Sequence, residues 1–477
     1  MKQSKKTLEA TQKRNLYETD RDYRFGFSVP ETAVFKSKKG LSEEIVREIS
    51  RLKNEPKWML DFRLASFETF LKKKIPSWGP DLSKIHFDEI TYFLRATKEQ
   101  KKSWEDLPKE IKDTYDRIGV PKAERDFLAG VSAQYESEVV YESIQEKLKN
   151  SGVLFCDMDT AIKQYPDIVR QQFGTLIQAG DNMFSALNSA VWSGGSFVYI
   201  PRGIKLSLPL QAYFRINAES FGQFERTLII AEEGSDVHYI EGCTAPIYRT
   251  QSLHAAVVEV FVKKNAHVRY TTVQNWSKNI YNLVTKRARA EENSFMEWID
   301  CNIGSGVTMK YPSVQLIGKK ARGEMLSIAV AGHKQIQDTG GKMFHLAPET
   351  SSRIISKSIS RDGGINSYRG KVTISPQAKK SSSFVSCSAL LLDEKSISNT
   401  YPTIQSFSPD SSVEHEAIAE KIGEEKLFYL KIRGLNEDDA RSMIVNGFIE
   451  PITKEIPLEY SVELNRLIRL EMDGSVG

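Results

Sequence analysis

The sequence is poor in cysteine: four in 477 residues, Cys156, Cys243, Cys301 and Cys387, separated by 87, 58 and 86 residues. That spacing makes neither a C-x-x-C metal knuckle nor a dense disulfide framework, and it fits a reducing compartment. No stretch reaches the ~18 consecutive apolar residues of a membrane helix, and the polar start Met1-Lys-Gln-Ser-Lys-Lys6 lacks the apolar core of a secretion signal. A cytoplasmic location without membrane insertion is therefore expected. Excess charge is also missing. The 66 Lys and Arg against 62 Asp and Glu leave a net +4, too little to mark a nucleic-acid surface. Motifs of phosphate and hydrolytic chemistry are absent too. Gly340-Gly341-Lys342 runs into Met343 without the upstream glycine of a phosphate loop, and neither H-E-x-x-H nor G-x-S-x-G occurs. The chain is expected to bind no ATP by itself.

What is present is an ordinary globular balance, 40% hydrophobic and 27% charged, in a chain long enough for about three domains of ~150 residues each. The first 150 or so residues read as helical. Ser42 is placed to cap a helix with Ile45, Val46, Ile49 and Leu52 on one stripe, Thr97 to Gln100 forms a capping-box pattern ahead of a second polar run, and Pro56, Pro76, Pro80 and Pro108 interrupt the region. From about Gly195, short runs of Val, Ile, Phe, Tyr and Thr alternate with Gly, Ser and Asn, which signals strands and turns. After His415 the pattern returns to helix. Gly434 is placed as a C-terminal glycine and Asn436 as an N-cap, and Pro451 and Pro457 precede a last helix with Tyr460, Leu464, Leu467 and Ile468 on one stripe. The expected fold is mostly β with flanking helices: a helical domain over 1–150, a parallel β-helix over 151–415 and a helical domain over 416–477.

The β-helix expectation comes from a repeat. Segments opening on a small residue start at Ser235, Ala266, Ser294, Gly323, Ser352, Ser383 and Ser411, at spacings of 31, 28, 29, 29, 31 and 28. A period near 30 with constant strand phase predicts coils that stack equivalent positions into ladders. In this register Cys387 and His415 lie on adjacent coils, one strand spacing of ~5 Å apart. Cys243 neighbours Gln274, and one repeat back from Ser235 reaches Ser207, which would add Arg215 to the same polar column. Val413-Glu-His-Glu416 beside Cys387 offers sulfur, nitrogen and oxygen donors, a mixture suited to iron or zinc rather than calcium or magnesium. By spacing alone, Glu414 and Glu416 read rather as solvated charges at a strand-to-helix junction and His415 as a satisfied core residue.

One long block, Val120-Pro-Lys-Ala-Glu-Arg-Asp-Phe-Leu-Ala-Gly-Val-Ser-Ala-Gln-Tyr-Glu-Ser-Glu-Val-Val-Tyr141, resembles the signature of the SufB family, the iron-sulfur cluster scaffolds of the SUF system. The likeness extends through Ala190-Val-Trp-Ser-Gly-Gly-Ser-Phe-Val-Tyr-Ile-Pro201, Phe214 to Ala218, Gln223 to Thr227, Tyr239-Ile-Glu-Gly-Cys-Thr-Ala-Pro246, Val273 to Ser277, Asn282 to Arg287 and Val413 to Ala417. It covers the chain from about residue 20 onward.

The resemblance implies a scaffold that works with the related SufD, or a second copy of itself, and with the ABC-type ATPase SufC docked on the C-terminal helices. It implies a desulfurase or sulfur-transfer protein as donor, apoproteins as recipients, a transient iron-sulfur cluster and, more distantly, reduced flavin, for which the chain has no dinucleotide fingerprint. Cys243 would receive persulfide sulfur. Arg215, Asn217, Gln274, Trp276 and Lys286 would line a sulfur route through the β-helix, and Cys387 and Glu416, with His415 nearby, would hold iron. Basic neighbours such as Arg215 or Lys286 would keep Cys243 ionised. Some members carry an N-terminal cysteine cluster, and this chain has no Cys before Cys156. Cys156 and Cys301 read as structural. Of the rivals, a β-helix acting on polysaccharide would need carboxylates converging along a groove. A SufD-type partner would lack the Cys243, Cys387 and Glu416 set, and a zinc module would bind metal without colour.

Overall fold

The computed structural model describes residues 33–97, 100–101, 104–118, 128–217, 220–245, 251–455, 464–465 and 467–468. Its centre is a parallel β-solenoid of about eight turns with helices at both ends of the chain. One wall is a sheet of nine parallel strands that follow one another in space as in sequence. They are β1 (Gly130–Tyr135), β2 (Leu210–Arg215), β3 (Asp236–Thr244), β4 (His267–Trp276), β5 (Phe295–Gly304), β6 (Arg322–Ala331), β7 (Ser351–Ser360), β8 (Ser382–Leu391) and β9 (Ser412–Lys421). The strand Glu138–Ile144 adds a tenth, antiparallel to β1. The facing wall is built from the return strands of the coils, some split into short pieces and some, such as Ile280–Ala290, long and continuous.

Alternation turns one face of each strand inward. Tyr239, Tyr270, Trp298, Met325, Ile354 and Val385 occupy one ladder position on β3 to β8. The first rings meet at a tilt of 49° and 54° with centroids 4.9 and 5.1 Å apart, contacts worth about 0.5–1.5 kcal/mol each beyond simple burial. The coils entering β4 to β8 each turn their corner through a left-handed residue two positions before the strand: Asn265, Asn293, Lys320, Glu349 and Lys380, with φ between 54° and 61°. At the end of β5 the backbone approach needs glycine, because a Cβ on Gly304 (φ +78°) would lie 1.8 Å from the Trp276 carbonyl oxygen.

The true register corrects the sequence-read one in two ways. Ser294 is followed in its ladder by Ala321 and not Gly323, and Ser383 by Val413 and not Ser411, so the reading slips by two residues and then slips back. Between Lys205 and Leu210 the chain makes an irregular turn at Ser207–Pro209. Arg215 therefore pairs with Thr244, and Phe214 stands opposite Cys243.

The ends differ from expectation in detail. Helix α1 (Glu43–Lys53) has its Ser42 cap, with Ile45 N–H donating to Oγ at 3.4 Å, and buries Ile45, Val46 and Ile49. With α2 (Lys57–Lys72) it packs against α3 (Met183–Val191). Around Thr97 the described residues form no helix before a short 3-10 turn at Trp104–Asp106; a two-stranded antiparallel pair, Phe35–Lys36 with Leu94–Arg95, lies in the N-terminal region, and the strands of the solenoid begin at Gly130, well before Gly195. The solenoid runs on to Lys421. Helix α4 (Glu424–Ile432) is closed by Gly434 at φ +94°, and Asn436 caps α5 (Glu437–Thr453) by accepting from Asp439 N–H at 2.8 Å. Pro451 does not separate this helix from another: it sits in the last turn of α5, where Lys454 N–H still reaches Glu450 O at 3.1 Å. Leu464, Leu467 and Ile468 are buried against Val445 and Ile449, while Tyr460 lies outside the described residues, as does the front of the Val120–Tyr141 block. Among the described residues no helix is long and apolar enough to cross a membrane.

Candidate functional site

The inward face of β3 places Glu241 and Cys243 two residues apart, both fully buried in the lumen. The Cys243 thiol donates to Glu241 Oε1 at 3.6 Å, and the Tyr270 hydroxyl donates to Oε2 of the same carboxylate. From the facing wall come Lys286 and Lys310. Lys286 Nζ lies 3.6 Å from Glu241 and 3.8 Å from Asp300, and Lys310 Nζ lies 3.2 Å from Asp300. Lys310 also donates to Gln274 Oε1 at 3.1 Å, and Asn282 Nδ2 donates to that oxygen at 2.9 Å. Asn282 Oδ1 in turn meets His254 Nδ1 at 2.7 Å, and the other ring nitrogen of His254 bonds Glu225. Cys243 thus heads a continuous buried polar network.

Its ionisation is the reverse of the sequence expectation. Burial, followed by the Glu241 and Glu225 carboxylates, pushes the Cys243 thiol well above the usual range, and Lys286 and Lys310 offset only part of this. At neutral pH the resting group is the thiol. Burial likewise disfavours the Asp300 carboxylate, but Lys310 and Lys286 more than compensate and hold its carboxyl below the ordinary value.

Of the residues expected beside Cys243, Gln274 is its ladder neighbour and Lys286 enters the network. Trp276 follows on the same inward face, its ring 4.7 Å from His254. Arg215 does not join the column. Shifted by one residue, it pairs with Thr244 and its guanidinium donates to Thr244 Oγ1 at 3.2 Å on the other face. Asn217 is buried beyond the end of β2, with its backbone N–H on Glu136 at 3.0 Å.

The ladder position of Glu241 continues through Thr272, Asp300, Ser327, Ser356 and Cys387. All six are buried side chains with polar or thiol termini, and Ser327 Oγ donates to Ser356 Oγ at 2.9 Å. Five strand spacings of about 4.8 Å span roughly 24 Å. Sequence reading joined Tyr270 and Trp298 to Ser327 instead, because of the two-residue slip, and so missed Glu241, Thr272 and Asp300. The available signal was the alternation Val237, Tyr239, Glu241, Cys243 along one strand, which sets Glu241 on the same face as the core.

At the far end Cys387 pairs with Ala417, and His415 pairs with Val385. Since the slip was two residues, His415 remains on the Cys387 face, with Nε2 3.9 Å from Sγ. Glu416 lies on the other face: its carboxylate accepts from Ser386 Oγ at 2.7 Å, and only its backbone carbonyl meets Cys387 Sγ, at 3.6 Å. Burial, with Glu416 adding to it, raises the Cys387 thiol, against a hydrogen bond from Thr400. Within this chain a thiol and an imidazole converge, and no three His, Cys, Asp or Glu side chains form a metal cage among the described residues. Cys301 is buried and pushed up to about 12 by that burial, and Cys156 is buried as well; all four cysteines are free thiols.

Residues 214–448 match the SUF system FeS cluster assembly, SufBD core domain, and residues 50–212 match the SufBD protein N-terminal region. An iron-sulfur cluster assembly SufBD family protein of Staphylococcus aureus (strain MRSA252) is 56% identical over 456 residues, covering 96% of this chain and 98% of its own. A relative of the same description from Staphylococcus saprophyticus is also 56% identical over the same length.

Proposed function

Because the chain belongs to the SufBD family of iron-sulfur cluster assembly proteins, we propose that within it this protein is the SufB-type scaffold, on which a cluster is built and from which it is released. Cys243 accepts sulfane sulfur from the persulfide of a desulfurase or sulfur-transfer protein. Cys387, with His415 beside it and Glu416 on the same strand, binds iron and the arriving sulfur. Thiolate is the form that both attacks sulfur and ligates iron, and a mixed thiolate, imidazole and carboxylate set would release a cluster more readily than four thiolates. The observation that carries this reading is the buried polar ladder from Glu241 beside Cys243 to Cys387.

Two surfaces support the expected partners. The return strand Ile397–Ser406 and β9 close the solenoid with exposed edges, suited to SufD or a second copy that would supply the ligands this chain lacks at Cys387. Phe428, Tyr429, Ile432 and Met443 project from α4 and α5, a face suited to the ATPase SufC, whose ATP hydrolysis would drive the cycle. Arg215 and Asn217 support the outer wall of the Cys243 coil, and Gln274, Trp276 and Lys286 line the lumen.

Anaerobic reconstitution with iron and sulfide tests the reading. The wild type should become brown, and Cys387→Ser and Glu416→Ala should weaken the visible absorbance. A wild type that stays colourless both alone and with SufC and SufD would point to a SufD-type structural partner or to zinc.

A further inference from the structure

A sulfur acceptor has to shed its proton before it can attack, yet the Cys243 thiol is enclosed, and burial holds the proton on. Releasing that proton to water would leave a new, unbalanced negative charge in the lumen, a costly change in a low-dielectric interior. The groups facing the sulfur are Glu241 on its own strand, Tyr239 and Tyr270 in the adjacent ladder, Lys286 and Lys310 on the opposite wall, and Glu225 beyond His254. Of these, Glu241 receives the thiol hydrogen bond, at 3.6 Å.

We propose that Glu241 is the proton acceptor for Cys243, with Lys286 as a positioning residue that keeps the carboxylate aimed and stays to balance the sulfur anion. The proposal rests on the reading of Cys243 as sulfur acceptor. The Cys243 proton passes to Glu241 Oε1. The thiolate attacks the terminal sulfur of the donor persulfide, a new S–S bond forms at Cys243, the donor S–S bond breaks, and its electron pair leaves on the donor cysteine as thiolate. Sulfane sulfur changes carrier with no net oxidation. Charge within the lumen moves by one hydrogen-bond length and does not increase, so the step avoids creating an additional buried ion. Tyr270 opposes the transfer, because its hydroxyl donates a hydrogen bond to the other oxygen of the carboxylate, and that bond is weakened once the carboxylate takes the proton.

The test reads thiolate formation separately from sulfur acceptance. Full-length protein is treated anaerobically with methyl methanethiosulfonate, a small neutral reagent that caps thiolates, and modification of each cysteine is followed by peptide mass spectrometry across pH. Glu241→Gln keeps the shape and removes the base, and should slow capping of Cys243 about 100-fold at neutral pH while leaving Cys387 unchanged. Tyr270→Phe should act in the opposite direction and speed Cys243 by a few fold, a change of sign that loss of packing would not produce. If Glu241→Gln does not fold, the Tyr270→Phe effect and the wild-type profile still decide the matter. Equal Cys243 rates in wild type and both variants, or a wild-type Cys243 that remains uncapped, would overturn the proposal. Inorganic polysulfide is the second probe. Should polysulfide leave Cys243 bare while the capping differences persist, Glu241 stands as the proton acceptor and only the sulfur reading falls.

Discussion

At the scale of single residues, the lumen is unusual in burying two lysines, and Asp300 is the group that makes this tolerable. It lies 3.8 Å from Lys286 and 3.2 Å from Lys310. Asp300→Asn would leave two enclosed ammonium groups with one carboxylate fewer, a loss of about 3–5 kcal/mol expected from breaking a buried ion pair on one side. Urea unfolding of the variant should show it, whereas Lys286→Met with Asp300→Asn should recover part of the loss. These charges were only partly legible. Alternation along β3 sets Glu241 on the core face, but the lysines that pair with it and with Asp300 sit on the other wall, at a distance that strand alternation cannot supply. Cys387 and His415 were legible, because a two-residue error in register preserves the face of a strand. Arg215 was misplaced because the coil from it to Thr244 spans 29 residues and not the 28 of the assumed repeat, and a one-residue shift inverts a strand.

At the scale of elements, a second ion cluster ties the outer face of the sheet to the turn that follows α5. His267 and Arg269 on β4 both bond Glu297 on β5, and Arg269 also donates to the Glu455 carbonyl at 3.2 Å. Burial alone would raise the Glu297 carboxyl, but the hydrogen bonds from His267 and Arg269 pull it down to about 2. A lowered carboxyl contributes stability that is complete above its ordinary value of 4.5 and is lost as pH falls toward 2, on the order of 3 kcal/mol. Burial lowers the His267 imidazole, but Glu297 and Asp236, 3.2 Å from its other ring nitrogen, raise it more, so its share is complete in acid and is lost as pH climbs through the raised value. Denaturation midpoints of wild type and Glu297→Gln should therefore differ most between these limits and converge near pH 2. The strand identities behind this were readable from alternation. The helix ends were readable from Ser42, Gly434 and Asn436, but Pro451 misled because a proline in a final turn removes only one hydrogen bond.

At the scale of the whole molecule, the repeat announced a solenoid, and what it left hidden was how the solenoid ends. The coil length varies from 27 to 31 residues between equivalent ladder positions, so a fixed period drifts even where the fold is regular. The final coil carries Ile397, Tyr401, Ile404 and Phe407 at 41 to 58% exposure along an unpaired edge. Exposed apolar edges of this kind favour a covering chain. If this edge is covered as proposed, Ile404→Asp should weaken association with SufD or with a second copy, measured by light scattering, and leave the circular dichroism of the single chain intact.

The central claim is that sulfur enters at Cys243 and reaches Cys387 along the buried ladder. The most direct measurement is site-resolved mass spectrometry of sulfane sulfur after anaerobic exposure to a persulfide donor, in wild type and in Cys243→Ser. The account predicts sulfur on Cys243 first and on Cys387 later, with Cys387 left bare in the variant. Equal loading of Cys387 with and without Cys243 would contradict it.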